Sequence, residues 1–459
     1  MAEFLDWSAE RLIAALADRQ LSAVELMQAT LERIAAENPR VNAIVSLRDG
    51  DDLLAEARAA DQATDRGPLH GVPIAVKDLA NVAGIPTSQG SPIFAGKPAA
   101  KSDIMVARMQ AAGAIIIGKT NTPEFGLGSH TYNPVFGATQ NAILSGCSAG
   151  GSSGGAAVAL ARHMVCLADG SDMMGSLRNP AGWNGVYGMR PTWGLVPSEP
   201  LGDMFMHQLS TNGPMARSPR DLALLLDVQA GPDPRQPFGL DHRPVAGTLD
   251  GDIVGKRLAW LGDWGGAYPM ETGVLEAAEA GLSRLTDAGA VVESVMPPFP
   301  AEALWESWTT LRSFAVAASL GVLYDHPKHR DMLKPAAIWE VEKGRALTQA
   351  HIQRASSLRS DWYRAATKLF ATHDAFILPT AQCWPFPVEW HWPEAIGGVA
   401  MDTYHRWMEV VVPVSLIGLP AIAVPIPGAR PMGLQIAGPR GADRLVLNIG
   451  EAWHEGAGS

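Results

Sequence analysis

GGSSGGAA, residues 150–157, decides how this chain is read. The glycines and serines follow Gly146-Cys147-Ser148-Ala149 and give way at once to the apolar VALA of residues 158–161. A flexible linker runs on into polar low-complexity sequence, whereas this stretch ends in good helix formers. The serines therefore precede a helix. The question is whether their turn cradles phosphate or belongs to an active site.

Working outward, WSAERLIAALADRQLSAVELMQATLERIAAENP at residues 7–39 repeats apolar residues at three and four, the spacing of a buried helix face. Ser22 and Glu25 form the capping-box pattern that starts the second of two helices. Short runs rich in β-branched residues follow: NAIVSL, PIAVKDL, AIIIGKT, RLAWLG, AVVESV, AFILPT, AIAVPIP and MGLQIAG. Helical patterns such as DIMVARMQAAG and VLEAAEAGLSRLTDAG lie between several of them. This alternation predicts an α/β fold, with a large mixed central β-sheet covered on both faces by helices. A single domain over residues 1–459 is expected. Residues 230–256, rich in Pro, Gly and Asp, read as a surface connection within it. Residues 300–410 read as a helical region holding Trp305, Trp308, Trp339, Trp362, Trp384, Trp390 and Trp392, which either pack in the core or line a pocket for an apolar or aromatic substrate.

The composition, 47% hydrophobic and 18% charged, is that of a soluble globular protein and argues against disorder. A formal charge of −11 speaks against nucleic acid or an anionic membrane as a general partner, and a small neutral substrate fits better. Cys147, Cys166 and Cys383 have neither the number for a disulfide framework nor the spacing for zinc. The N-terminus lacks the apolar run of a signal peptide, and no stretch approaches 18 uninterrupted apolar residues. A cytoplasmic protein is expected, with no metal and no cofactor.

Two motifs tempt and fail. GAIIIGKT at 113–120 satisfies the phosphate-loop expression, but that loop needs flexible backbone between a strand and a helix that begins at the lysine. Here Ile115, Ile116 and Ile117 are strand-like, and Asn121, Thr122 and Pro123 follow. Gly150 to Gly154 also match the GxSxG elbow, which requires a strand before the serine and then an acid and a histidine downstream. ILSGCSA is a poor strand, and His351, His391, His405 and His454 stand in no interpretable context.

A third serine carries the better reading. Ser176 lies in GSDMMGSLRNPAG, where small residues let a carbonyl approach and successive backbone N–H groups make a concavity for negative charge. A free hydroxyl is a weak nucleophile at neutral pH and needs a base. Lys77, at the end of the apolar GVPIAV and before Asp78, is the candidate. Burial beside a strand lowers the pKa of its amine and lets it accept a proton.

Taken together, GVPIAVKDLANVAG around Lys77, GKTNTPEFG at 118–126, SAGGSSGGAAVALA from Ser148, GSDMMGSLRNPAGWNGVYGMRPTWG from Gly170, and GLPAIAVPIP with MGLQIAGP resemble the amidase signature family of serine hydrolases. The motifs span most of the chain in order, and the spacing of 75 and then 24 residues from Lys77 to Ser152 to Ser176 matches that family. The resemblance implies a Ser, cis-Ser, Lys triad: Ser176 as nucleophile, Ser152 as the bridging serine after a cis peptide bond, and Lys77 as base. It also implies an oxyanion hole from the backbone N–H groups of Met173, Met174, Gly175 and Ser176.

Four positions, at three places in the chain, depart from the family pattern. Ala149 stands where many members have Pro, Ser171 where they have Thr, and Met173-Met174 where they have Thr-Gly or similar. Met174 puts a long flexible side chain in the oxyanion turn, where it either narrows the pocket or packs beneath it. Gly126, Leu127, Gly128, Ser129 and Met174 are the expected pocket walls, with parts of 300–410.

The family cleaves amides, esters and carbamates. SDMMGSLRNPAGWN resembles a group that includes urethanases acting on small aromatic carbamates. The expected activity is hydrolysis of the C–N bond of small amides or carbamates, aryl-substituted, through an acyl-enzyme. The alternatives are an amidase or esterase without carbamate preference, a glutamine-amidotransferase-like subunit, and a non-catalytic binding module. A homodimer is the default expectation for such an enzyme.

Overall fold

The computed structural model describes residues 2–456. The β-branched runs become strands of one eleven-stranded sheet. In chain order these are β1 (Ile44–Val45), β2 (Pro73–Lys77), β3 (Ile115–Thr120), β4 (Leu167–Asp172), β5 (Tyr187–Arg190), β6 (Thr211–Ala216), β7 (Arg257–Trp260), β8 (Val291–Ser294), β9 (Ala375–Pro379), β10 (Ala421–Ile426) and β11 (Met432–Ala437). Across the sheet they run β1-β3-β2-β4-β6-β5-β10-β11-β9-β7-β8. The sheet is mixed. β2 is parallel to β3 and β4, and β7 is parallel to β8 and β9, while the remaining pairs are antiparallel.

Every residue of β2, β3, β9 and β11 is buried, as strands covered on both faces must be. GAIIIGKT is therefore a strand and not a phosphate loop. Its Lys119 is fully buried, with Nζ bonded to Ala80 O and to Thr87 Oγ1. NAIVSL yields only Ile44–Val45, because Ser46 turns to a left-handed φ of 49° and breaks the extended run.

The helices that position the site are α1 (Ala23–Val41), α2 (Gly154–Ala161), α3 (Arg178–Asn184), α4 (Pro219–Gln229), α5 (Ala301–Asp325), α6 (Pro335–Arg345) and α7 (Gln349–Phe370). The Ser22 hydroxyl caps α1 by accepting from Glu25 N, and the Glu25 carboxylate accepts from Ser22 N in return. GGAAVALA is buried over its first seven residues, so α2 packs between β2, β3, β4 and β6 rather than on the surface. α3 lies on β5, β10 and β11, and α5 pairs with α6 and α7. Residues 230–256 hold no helix or strand. Among the described residues no helix is long and apolar enough to cross a membrane.

Candidate active site

Parallel strands β2 and β4 end side by side at Lys77 and Asp172, and the glycine-serine turn that opens α2 lies against those ends. A lysine at the last position of a buried strand cannot reach water, and Lys77 is 1% exposed. Its Nζ donates to Ser152 Oγ at 2.8 Å, to Ser153 Oγ at 2.8 Å, and to Ser171 through Oγ at 3.0 Å and O at 3.2 Å. Burial drives its pKa down to about 7, against the opposing pull of Asp169 and Asp172. The peptide bond between Gly151 and Ser152 is cis.

The turn is held from several sides. Thr131 Oγ1 donates to Gly150 O at 2.7 Å and accepts from Gly154 N at 3.2 Å, while Gly151 N donates to Asn179 Oδ1 at 3.2 Å. Gly150 has a φ of 73° and lies against Asn179 and Pro180, so a side chain there would be both strained and crowded. These contacts hold the glycine-serine turn in place at the start of α2.

The Ser176 turn is anchored by Asp172. Burial alone would raise this carboxyl, but the guanidiniums of Arg178 and Arg190, both at 3.0 Å, outweigh it and hold the group well below the usual carboxylate range. Asp172 also accepts from Gly175 N at 2.9 Å and Leu177 N at 3.2 Å. This corrects the expected oxyanion hole: the Gly175 N–H is taken by Asp172. Among the described residues, Met173, Met174 and Ser176 make no backbone-to-backbone hydrogen bond through their N–H groups. Gly175 has a φ of 77°, and a Cβ there would meet Val411 Cγ2 at 2.8 Å. Ser153 N donates to Ser176 O at 3.3 Å, which ties the two serine turns together.

Ser152, Ser171 and Ser176 all open onto a cavity of about 530 Å³. Its apolar walls include Phe94, Phe125, Leu127, Met173, Val316 and Leu320. Of the expected walls, Gly126 and Leu127 line it, whereas Gly128 and Ser129 do not. Met174 does not line it either. The side chain is 3% exposed and packs in the core, and the neighbouring Met173 faces the cavity instead. None of the seven tryptophans lines it: Trp305, Trp308, Trp362 and Trp384 are core residues, and Trp390 is exposed. The contribution of residues 300–410 comes through α5, which presents Arg312, Val316 and Leu320.

Sequence reasoning missed Ser153 as a partner of Lys77. It also missed Arg312, which is 3% exposed at the cavity wall. Arg312 donates to Glu340 Oε1 at 2.6 Å, to Tyr404 Oη at 2.8 Å and to Met173 Sδ at 3.2 Å. Its one sequence signal is a charge within the apolar face of a helix.

The sequence matches the amidase family over residues 25–447. It is 34% identical over 458 residues to an acylamidase of Rhodococcus erythropolis, covering 96% of this chain and 94% of that protein. It is equally 34% identical, over 473 residues, to a subunit of the glutamyl-tRNA(Gln) amidotransferase of Thermus thermophilus, covering 97% and 96%. Among solved structures, a bacterial aryl acylamidase of the amidase signature enzymes superposes with a TM-score of 0.92 at 26% identity, over 98% of this chain and 96% of that one. The match over residues 25–447, the 34% identity over nearly the whole chain and the superposition agree, and this chain belongs to the amidase signature family of amide-hydrolysing enzymes.

Proposed function

We propose that the protein hydrolyses small aryl-substituted amides and carbamates through an acyl-enzyme on Ser176. The observation that carries this reading is the Lys77 amine, buried, with a pKa near 7, and 2.8 Å from Ser152 Oγ at the floor of an apolar cavity shared with Ser176. Neutral Lys77 takes the proton of Ser152, and Ser152 takes that of Ser176 as its Oγ attacks the substrate carbonyl. The negative charge that develops on the carbonyl oxygen is met by backbone N–H groups of the Met173–Ser176 turn that Asp172 leaves free, each such donor contributing about 3 to 4 kcal/mol in the transition state. The C–N bond breaks, and the proton returns through Ser152 to the leaving amine. Water then attacks the ester on Ser176 and releases the acid.

With a carbamate, the same steps leave an alkoxycarbonyl group on Ser176, and hydrolysis releases a carbonate half-ester that loses carbon dioxide. The aryl preference rests on the walls: Phe94 and Phe125 stand edge to face at 6.4 Å, and Leu127, Val316 and Leu320 extend the apolar surface. The acylamidase and aryl acylamidase relatives support amides of this type. The test is release of aniline from acetanilide and from ethyl N-phenylcarbamate, with glutamine as a third substrate. Aniline from the first two and no ammonia from glutamine is the expected result. Turnover of glutamine alone would overturn the reading in favour of an amidotransferase-like role.

A further inference from the structure

A second cavity, of about 640 Å³, opens between α7 and the loops that carry Trp193, Phe238, Ile417 and Arg440, and shares no lining residue with the serine cavity. Arg359 and Arg364 of α7 and Arg440 line it, and among the described residues no aspartate or glutamate does. Arg364 is already paired with Asp361. The other two guanidiniums have no carboxylate partner among the described residues: Arg359 donates only to Gln208 O, at 3.3 Å, and Arg440 enters no ion pair. Burial and the charge of Arg440 push the Arg359 pKa down to about 10.

Two like charges held together in a half-buried cleft repel each other unless an anion lies between them. The rest of the lining is largely aromatic and aliphatic. Trp193 and Phe238 stand 5.7 Å apart with planes inclined at 49°, and Leu240 and Ile417 continue the apolar surface. The volume is that of a small-molecule pocket. An apolar lining beside a pair of unpaired guanidiniums matches an apolar ring that carries one carboxylate, since planar guanidiniums bind carboxylates in a fork.

We propose that this cleft is a binding site for a small aromatic carboxylate, its carboxylate held by Arg359 and Arg440 and its ring lying on Trp193 and Phe238. It is independent of the serine site and of the chemistry assigned there.

The test is calorimetric titration of the whole protein with benzoate, with benzamide and inorganic phosphate as controls, repeated on Arg359→Gln and Arg440→Gln. Arg440 is exposed, so its replacement leaves the fold intact. One saturable benzoate site is expected, weakened about tenfold or more in each variant, as loss of one charge-assisted pair requires. Benzamide should not compete. Unchanged benzoate affinity in both variants would overturn the proposal. Binding of phosphate without binding of benzoate would overturn it as well, by leaving the aromatic wall without a role.

Discussion

Lys77 Nζ donates to Ser152 Oγ at 2.8 Å from a position where the lysine is only 1% exposed. That pairing joins a strand end to a glycine-serine turn 75 residues later in the chain. Because burial lowers the Lys77 pKa to about 7, the amine is neutral, and able to accept a proton, only above that pH. Activity should therefore rise as pH rises through about 7 and level off beyond it. At pH 5 the neutral fraction, and with it kcat/KM, is about a hundredfold below the plateau. A flat profile between pH 5 and 8 would remove Lys77 as the base.

If Lys77 and Ser152 pass the same proton, their removal cannot be additive. Lys77→Ala and Ser152→Ala should each lower kcat by roughly 100- to 10,000-fold with little change in KM. The double variant should fall no further than the weaker single variant. A product of the two effects, measured in the same assay, would mean that the residues act separately.

Gly175 is a backbone requirement. Alanine at this position would hold a φ of 77°, costing about 1 to 2 kcal/mol, and would press on Val411. The resulting shift moves the Met173–Ser176 turn, so Gly175→Ala should lose activity far beyond its loss of stability. Parallel urea melts and rate measurements on this variant separate the two, and equal losses would contradict the role given to the turn.

Asp172 answers to two buried guanidiniums at once. Replacing it by Asn leaves Arg178 and Arg190 in the core without a counter-charge, and breaking such a buried pair costs roughly 3 to 5 kcal/mol. The midpoint of urea unfolding should fall accordingly, with the slope unchanged. A variant as stable as the wild type would mean that the ion pairs do not anchor the turn.

What was legible in the sequence follows from the range of the interactions. PIAVK, IIIGKT, AFILP and MGLQIA declare themselves as strands because burial on both faces demands unbroken apolar or β-branched runs. Ser22 and Glu25 declare a helix start because their bonds span three residues. The serine-lysine cluster was readable from its motifs. The pocket was not, since its walls come from positions as far apart as Phe94 and Leu320, which only the folded chain brings together. Met174 was expected at the wall and Met173 lines it, because the turn after β4 sends adjacent side chains to opposite sides. The tryptophans of 300–410 could not be assigned from composition, and most proved to be core residues.

The central claim, that Ser176 carries the acyl group, is tested most directly by treating the protein with a fluorophosphonate and mapping the adduct by peptide mass spectrometry. The prediction is a single adduct on Ser176, absent in Ser176→Ala and strongly slowed in Lys77→Ala. An adduct on Ser152 would contradict it, because that serine would then be the nucleophile and not the bridge.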